Sequence, residues 1–388
     1  MSDTRILAGR GLDEFLEDSR QIVGQPAQDV PEGTNVADVP SLRGFCGALN
    51  DKNPLYADPN YGAISKYNSM VAPPTFVISV RTPTSAAAFD AKQYGMIKLA
   101  KSAAFEWVDV IRLGDRLASD IVVADVRDGE PVEGRSTAEV VSQVTYRNSY
   151  GGLIGSGQGT MRVIPFQPGD KLLSDRDVYR YSEEDIARFA KEMDREVPPR
   201  GKKVRYWNDV SVGEKLPSLC KPHLTIPEVF AWITAEAKPL PSATLNYFEL
   251  KSRPGKTRVN PTTHWPYMNV DEMFSDIKSC EAVGFKTPVS VGLHRVALVG
   301  LLATDWMGDD GMLRRLEVEL PNYYQYADTL SLTGEVVAKY EERAGGELYH
   351  AVDLGLLGTN QLGQVIARGT ATVYLLNPGH PVTLPVPH

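Results

Sequence analysis

Two stretches of the sequence, GDRLASDIVVADV at 114–126 and ADTLSLTGEVVAK at 327–339, decide the fold. Each begins with a small residue and an aspartate, a pair that is typical of turns. Each then alternates apolar and polar residues, which predicts a half-buried β-strand. The distance from Gly114 to Ala327 is 213 residues. This distance predicts that one structural unit occurs twice in the chain.

A second pair of stretches repeats at nearly the same distance. GGLIGSG at 151–157 corresponds to GQVIARG at 363–369, which lies 212 residues further on. Two independent matches at almost one offset indicate a duplicated domain. In each copy an apolar helix pattern precedes several strand patterns, and this order is typical of a helix that covers one face of an antiparallel sheet. We therefore predict an α+β fold with two similar halves.

Hydrophobic periodicity places the other elements around these landmarks. Helices are predicted at 10–23, 41–50, 182–196, 224–237 and 287–304, and strands at 101–111, 116–128, 136–148, 152–164, 313–320, 329–342, 349–357 and 365–376. Ser41 and Ser182 are the predicted N-terminal caps of the helices at 41–50 and 182–196. The predicted domains are 1–180 and 205–388, and a helix and linker occupy 181–204.

Composition excludes several classes of protein. The formal net charge of -8 argues against nucleic acid as the main partner, because phosphate contacts need clustered Lys and Arg. No apolar run reaches the roughly 18 residues that a membrane span requires. Cys46, Cys220 and Cys280 are far apart and lack metal-ligand spacing, so we expect reduced thiols in a cytoplasmic protein with no metal site.

The stretch NDKNPLYAD at 50–58 is the first candidate site. An Asn-Pro step marks a turn, and this turn would bring Asp51, Asn53 and Tyr56 into one small space. Asp51 and Tyr56 are candidate catalytic residues, and Asn53 is a candidate for substrate binding. The alternative interpretation is a turn that only ends a helix.

Two further stretches, YGAISKYNSMVAPPTF at 61–76 and TDWMGDDGMLRRLEVELPN at 304–322, complete a family pattern with this turn. Together with the Asp-x-Asn-Pro-Leu turn and the duplication, they resemble the MaoC-like hot-dog family, and the first half resembles the FAS1-like dehydratase domain. The resemblance extends from about residue 10 to residue 378. It implies a double hot-dog fold, in which one chain supplies both halves of what is otherwise a dimer.

The resemblance implies addition of water to an enoyl-CoA thioester, or the reverse elimination. In this family an Asp and a His five residues apart in an Asp-x-Asn-Pro-x-His turn supply the base and the acid. Backbone N–H groups at a helix N-terminus hold the thioester oxygen. Here Tyr56 stands at the position of the histidine. A phenol with a pKa of about 10 donates a hydrogen bond but is a poor acid–base group near neutrality.

The second half departs from the pattern as well. Asn260, Pro261 and His264 resemble the motif, but Arg258 occupies the place of the aspartate and His264 stands one residue too far on. Counting back from Gly284 and Gly292 instead places Phe274 at the histidine position. The segment 238–270 is longer than its counterpart in the first half, and long insertions in compact domains are often functional.

Each remaining candidate has a structural alternative. His264, Asp271 and Asp276 are candidate catalytic residues, although a loop histidine can simply pack and acids at a helix start are usually caps. Gly292 and His294 are candidates for substrate binding, with close helix packing and a satisfied core histidine as the alternatives. Trp265 and Tyr267 fit a bulky acyl group or an ordinary core. Asp309 and Asp310 are interpreted as turn acids.

We conclude from the sequence that the chain is a hydro-lyase-like enzyme acting on an acyl-CoA thioester with a rearranged active site. The alternatives are another hot-dog reaction on a bulky or aromatic substrate (an isomerase, hydrolase or other lyase) and a non-catalytic acyl-binding subunit. Coenzyme A enters only as part of the substrate, and the expected assembly is a homodimer. The candidates for a basic mouth that holds the coenzyme are Arg112, Arg116, Lys202 and Lys203.

Overall fold

The two repeated turns share one backbone geometry in the computed structural model, which describes residues 11–387 apart from 28–32, 86–93, 168, 237–257, 260, 261, 263, 265 and 268–276. Gly114 and Ala327 both have positive φ, at 91° and 68°. The carboxylates of Asp115 and Asp328 each accept a hydrogen bond from the backbone N–H three residues earlier, at 2.8 and 2.9 Å. The duplication predicted from the sequence is therefore present in the backbone.

One nine-stranded antiparallel sheet spans both halves, in the order β2-β3-β4-β1-β8-β11-β10-β9-β5. The order of the first four strands is repeated in mirror image by the next four. The halves join where β1 pairs with β8, with Ser102 opposite Glu319. The strands are β1 Met96–Trp107, β2 Leu117–Val132, β3 Arg135–Asn148, β4 Leu153–Pro165, β5 Leu219–Lys221, β8 Met312–Glu319, β9 Leu330–Ala344, β10 Glu347–Thr359 and β11 Val365–Leu375; a separate hairpin is formed by β6 Arg258–Val259 and β7 Pro266–Tyr267.

The described helices are α1 Gly11–Arg20, α2 Val39–Leu49, α3 Pro59–Ala63, α4 Val77–Val80, α5 Glu183–Met193, α6 Ile226–Ala235, α7 Ile277–Glu281 and α8 Gly292–Met307. Of these, α1, α4 and α8 pack against the long strands of the sheet. Helix α8 lies against strands of both halves, and 14 of its 16 residues are buried. A helix that is apolar all round belongs in a core. The predicted α+β architecture of two similar halves is confirmed.

Of the two predicted helix caps, Ser41 is wrong and Ser182 is confirmed. Ser41 is not the cap of α2, because the carboxylate of Asp38 accepts a hydrogen bond from the Ser41 backbone N–H at 2.8 Å. A Pro at the first turn of α2 needs no N–H partner, so the helix begins earlier than the serine indicates. Ser182 does cap α5, in a reciprocal capping box with Asp185.

The segment that follows β4 contacts the second half. Ser174 forms a parallel bridge with Phe285, and Arg176 makes a two-pronged ion pair with buried Asp328, at 2.6 and 2.5 Å. The boundaries at 180 and 205 stay predictions. The three cysteines are free and buried. Within the described part of the chain, no helix combines the length and apolar character needed to cross a membrane.

Candidate active site

The turn that follows α2 is built from two side chains that bond to the backbone. Asn50 ends the helix in a left-handed conformation, with φ of 54°. The Asp51 carboxylate then accepts a hydrogen bond from the Asn53 N–H at 2.9 Å, and the Asn53 side chain accepts one from the Leu55 N–H at 3.0 Å. Asp and Asn form such turns because their short side chains reach the backbone two residues ahead. Pro54 then begins a short 3-10 helix that ends at Tyr56.

Asn53 links this turn to the second half of the chain. Its amide nitrogen donates to Asp309 at 3.2 Å, and the Tyr61 hydroxyl donates to the other carboxylate oxygen of Asp309 at 2.6 Å. Asp309 follows α8 and is 7% exposed. Asp309 lies in a turn, as predicted, and its carboxylate also joins the two halves. The structure assigns Asn53 this bridging contact, and its predicted role in substrate binding stays a prediction.

Asp51 carries a carboxyl group whose pKa lies close to neutrality. Burial raises that pKa to about 6, against the opposing effects of the Asn53 N–H and the Lys221 ammonium. The carboxyl of Asp305, in the last turn of α8, has a pKa raised to about 8, first by burial and then by the charge of Asp51. A pair of carboxyls with separated pKa values is the arrangement expected of a proton acceptor and a proton donor.

Two members of this group, Asp305 and Lys221, are not among the residues predicted from the sequence. Asp305 is the only acidic residue of α8, and its Oδ1 is buried without a hydrogen-bond partner among the described residues. Lys221 lies in β5, where its ammonium donates to the carbonyl of Leu49 at 2.8 Å and burial lowers its pKa. A charged residue within an apolar helix pattern is rare unless it is paired, so Asp305 could have been found from the sequence. Lys221 gave no such signal.

Tyr56 occupies the predicted histidine position and is buried. Burial, followed by the charge of Asp51, raises the pKa of its phenol well above 10, so the hydroxyl keeps its proton. Tyr56 lines a cavity of about 30 Å³, enough for one or two waters. The same cavity is lined by Tyr67, Trp107, Ile154, Asp309 and Leu313. Tyr56 is thus placed to donate a hydrogen bond, not to exchange a proton.

Gly292 begins α8, and backbone bonds identify its counterpart in the first half. The N–H of Leu113 donates to the Met70 carbonyl at 2.8 Å, and the N–H of Tyr326 donates to the Pro288 carbonyl at the same distance. Pro74 stands four residues after Met70 and Gly292 stands four residues after Pro288. Pro74 is therefore the counterpart of Gly292 in the first half. Proline has no N–H, so only the second half retains the N–H group that the resemblance assigns to the thioester oxygen.

His294 is fully buried inside the protein. Its Nδ1 lies 3.1 Å from the Ser290 hydroxyl, and its ring stacks on Trp232 with 5.0 Å between ring centres. Burial lowers its pKa to about 3, so the imidazole is neutral. His294 therefore sits in the core between helices, and its predicted contact with substrate stays a prediction.

The candidates in the long insertion are placed only in part. His264 is exposed and has a φ of 57°, and Tyr267 lies in β7, paired with Arg258. Trp265, Asp271 and Asp276 lie outside the described residues. The pairing of His264 with a carboxylate therefore stays a prediction.

Two of the four predicted basic residues lie near the cavity beside Tyr56. Arg112 pairs with Asp109, a residue that lines the cavity, at 3.4 Å. The Lys202 ammonium lies 4.4 Å from the centre of the Tyr61 ring. Arg116 and Lys203 are exposed. Coenzyme binding by any of the four stays a prediction.

The chain is similar to known dehydratase structures along almost its whole length. One, described as a MaoC-like dehydratase, has a TM-score of 0.62 at 18% identity and covers 92% of this chain and 99% of its own. A MaoC domain protein from Chloroflexus aurantiacus has a TM-score of 0.54 at 12% identity and covers 91% of this chain and 97% of its own. The chain has the double hot-dog fold of the MaoC-like dehydratases. The double hot-dog prediction is confirmed.

The first hot-dog half also matches a family by sequence. Residues 23–156 match the FAS1-like dehydratase domain region, as the resemblance implied. Two relatives described as UPF0336 proteins match shorter segments. The protein from Thermobifida fusca is 40% identical over 60 residues, which are 16% of this chain and 38% of the relative. The protein from Streptomyces avermitilis is 26% identical over 106 residues, which are 26% of this chain and 69% of the relative.

Proposed function

We propose that this MaoC-like double hot-dog protein is a hydro-lyase-like enzyme that adds water to an enoyl-CoA thioester or removes it from the 3-hydroxyacyl-CoA. The observation that carries the proposal is the buried Asp-x-Asn-Pro turn, in which burial raises the pKa of the Asp51 carboxyl to about 6 although the Asn53 N–H opposes the rise. A general base works best when its pKa lies near the working pH. The dehydratase match over residues 23–156 contains this turn.

In the proposed reaction Asp51 accepts a proton from water while the water oxygen bonds to the third carbon of the acyl chain. The same proton then passes to the second carbon, so water adds across the double bond with no atom left over. The Tyr56 hydroxyl keeps its proton at neutral pH and donates a hydrogen bond to the thioester oxygen as negative charge develops there. Side-chain hydroxyls serve this purpose where a backbone N–H is lacking, as it is at Pro74.

The test is a hydration assay with short, branched and aromatic enoyl-CoAs, followed by loss of enoyl absorbance. Asp51→Asn should lower turnover by about 100-fold or more, because general-base catalysis contributes that much. Tyr56→Phe should lower it by about 100-fold if the hydroxyl holds the thioester oxygen. Asp58→Asn is the matched control: Asp58 caps α3, and Asn is an equally good cap.

The His264→Ala variant tests which half of the chain contains the active site. Turnover that survives Asp51→Asn but disappears in His264→Ala would move the active site to the second half, where Gly292 retains its N–H. Turnover that is lost in Asp51→Asn alone supports the site proposed here. A protein that is inactive on every thioester contradicts the hydro-lyase proposal.

One observation favours a second candidate function, that of a non-catalytic acyl-binding subunit. Tyr56 stands at the position of the family's histidine, and its phenol keeps its proton. If turnover requires the histidine that Tyr56 replaces, this half would hold acyl-CoA without turning it over. Calorimetric binding of acyl-CoA, unchanged in Asp51→Asn and without turnover in the parent protein, would support this candidate.

A further inference from the structure

Trp232 and His294 form a buried aromatic pair between α6 and α8. Their ring centres are 5.0 Å apart and their planes differ by 22°. Both side chains are fully buried. On its other side Trp232 packs against Phe45 of α2, with ring centres 5.5 Å apart. The pair therefore lies where helices of the two halves meet.

Each ring of the pair carries one nitrogen that takes no part in the stacking or in the contact with Ser290. Considering the described residues only, Nε1 of Trp232 and Nε2 of His294 are both buried without a hydrogen-bond partner. Leaving such a group unpaired costs its full desolvation, so buried polar atoms are nearly always satisfied. The rings are stacked with their centres 5.0 Å apart, so the two nitrogens belong to neighbouring rings.

The contacts of Ser290 bear on which ring nitrogen of His294 carries the proton. The Ser290 hydroxyl lies 3.3 Å from the Val291 carbonyl oxygen and 3.1 Å from Nδ1 of His294, and it has one proton to donate. In the tautomer that the proposed site requires, that proton goes to the carbonyl and the Nδ1–H of His294 donates to the Ser290 oxygen. Nε2 is then a bare acceptor. The pair presents one donor, the indole N–H, and one acceptor, the imidazole Nε2.

We propose that Trp232 and His294 form a buried binding site for a hydroxyl group, which accepts a hydrogen bond from the indole N–H and donates one to Nε2 of His294. A hydroxyl is the group that satisfies one donor and one acceptor at once, whereas a carbonyl satisfies only the donor. Two sources supply this chemistry, a water and the alcohol of a bound acyl chain. The second source rests on the proposed function, and the first does not.

Measurements on the unliganded protein test whether a water occupies the site. We would record ¹⁵N–¹H spectra of the indole and imidazole groups and determine a high-resolution crystal structure of the unliganded protein. A water between Nε1 and Nε2, with His294 protonated on Nδ1, supports a water site. A His294 ring protonated on Nε2 presents two donors and overturns the proposal. These measurements need no variant and do not depend on activity.

Calorimetry with 3-hydroxybutyryl-CoA and butyryl-CoA tests the second source. If the alcohol occupies the site, the parent protein should bind the hydroxylated compound about tenfold more tightly, and Trp232→Phe should abolish that preference. His294→Gln should retain most of it, because the Gln carbonyl keeps an acceptor there. Trp207→Phe is the matched control, because the Trp207 indole already donates to the Ala351 carbonyl at 3.0 Å.

The combined outcomes separate this proposal from the proposed function. A water in the free protein, with no turnover of any thioester, supports the site and contradicts the hydro-lyase. Turnover with no hydroxyl preference and no water between the rings contradicts the site and leaves the hydro-lyase intact. If Trp232→Phe fails to fold, the spectra of the parent protein and the binding data for His294→Gln still decide.

Discussion

The two hot-dog halves use one turn for two purposes. In the first half the Asp115 carboxylate accepts a backbone hydrogen bond and is partly exposed. In the second half Asp328 makes the same bond but is fully buried, and it also accepts from Arg176 and from Gln361. The turn itself needs only the hydrogen bond from the backbone N–H to the aspartate carboxylate. The additional bonds of Asp328 fasten the segment that leaves the first half onto the second.

The difference extends to the helices that cover the sheet. The first half has a short 3-10 segment, Pro74–Phe76, followed by the four residues of α4, whereas the second half has the 16 residues of α8. The proline at the start of the first segment removes an N–H that Gly292 keeps. The duplicated fold has thus been retained while the two halves differ at the start of the helix that the proposed chemistry would use.

The largest expected effect compares the two turn aspartates. Asp328→Ala should cost about 3–5 kcal/mol, because it leaves Arg176 without the partner of a buried ion pair. Asp115→Ala removes one hydrogen bond and should cost about 1 kcal/mol. Urea unfolding of the two variants measures both values. Equal losses would show that the ion pair to Arg176 does not fasten the halves.

A second prediction uses pH to test the buried turn of the first half. The pKa of Asp51 rises from 3.8 in the unfolded chain to about 6 in the folded one. The folded state therefore binds the proton more tightly, so this stabilisation is complete below pH 3.8 and is lost as pH rises to 6. The loss should be on the order of 3 kcal/mol.

Asp51→Asn removes this titration, so its free energy of unfolding should vary less between pH 4 and pH 6 than that of the parent protein. Asp58→Asn is the control and should follow the parent curve. Asp305→Asn extends the comparison to about pH 8, because the Asp305 carboxyl has its pKa there. Parallel curves for Asp51→Asn and the parent would place Asp51 in contact with solvent, and would remove the argument for a poised base.

Much of the fold could be predicted from the sequence, because strand periodicity and turn residues act locally. The match of Gly114 to Ala327 indicates the duplication from the sequence alone. The candidate site was harder, because Asp51, Lys221 and Asp305 are far apart in the chain and meet only through packing of α2, β5 and α8. The link made by Asp309 could not be predicted for the same reason: its partners Asn53 and Tyr61 lie in the other half.

A third prediction concerns the start of α8. A Cβ on Gly292 would lie 2.4 Å from the Cβ of Ala100 in β1. Gly292→Ala should therefore cost about 1–3 kcal/mol, as overpacking usually does. Adding Ala100→Gly should recover part of that loss, and thermal unfolding of the single and double variants measures the recovery. Pro74→Ala, at the equivalent position of the first half, should cost less than about 1 kcal/mol. No recovery in the double variant would mean that the contact with β1 is not what requires a glycine.

The smallest expected effect compares the caps of the equivalent helices α2 and α6. Asp38 accepts the Ser41 N–H at 2.8 Å, whereas Thr225 accepts the Glu228 N–H at 3.3 Å. Asp is the better cap and has the shorter bond, so Asp38→Ala should cost about 1 kcal/mol and Thr225→Ala about half of that. Urea unfolding resolves the difference if both variants keep the parent m-value. Asp38→Asn should retain nearly all of the stability, because Asn caps as well as Asp, and a loss equal to that of Asp38→Ala would assign the effect to the charge of Asp38. The reverse order, with Thr225→Ala the more costly, would show that the packing of α6 on α2 sets the stability of these helices and that their caps do not.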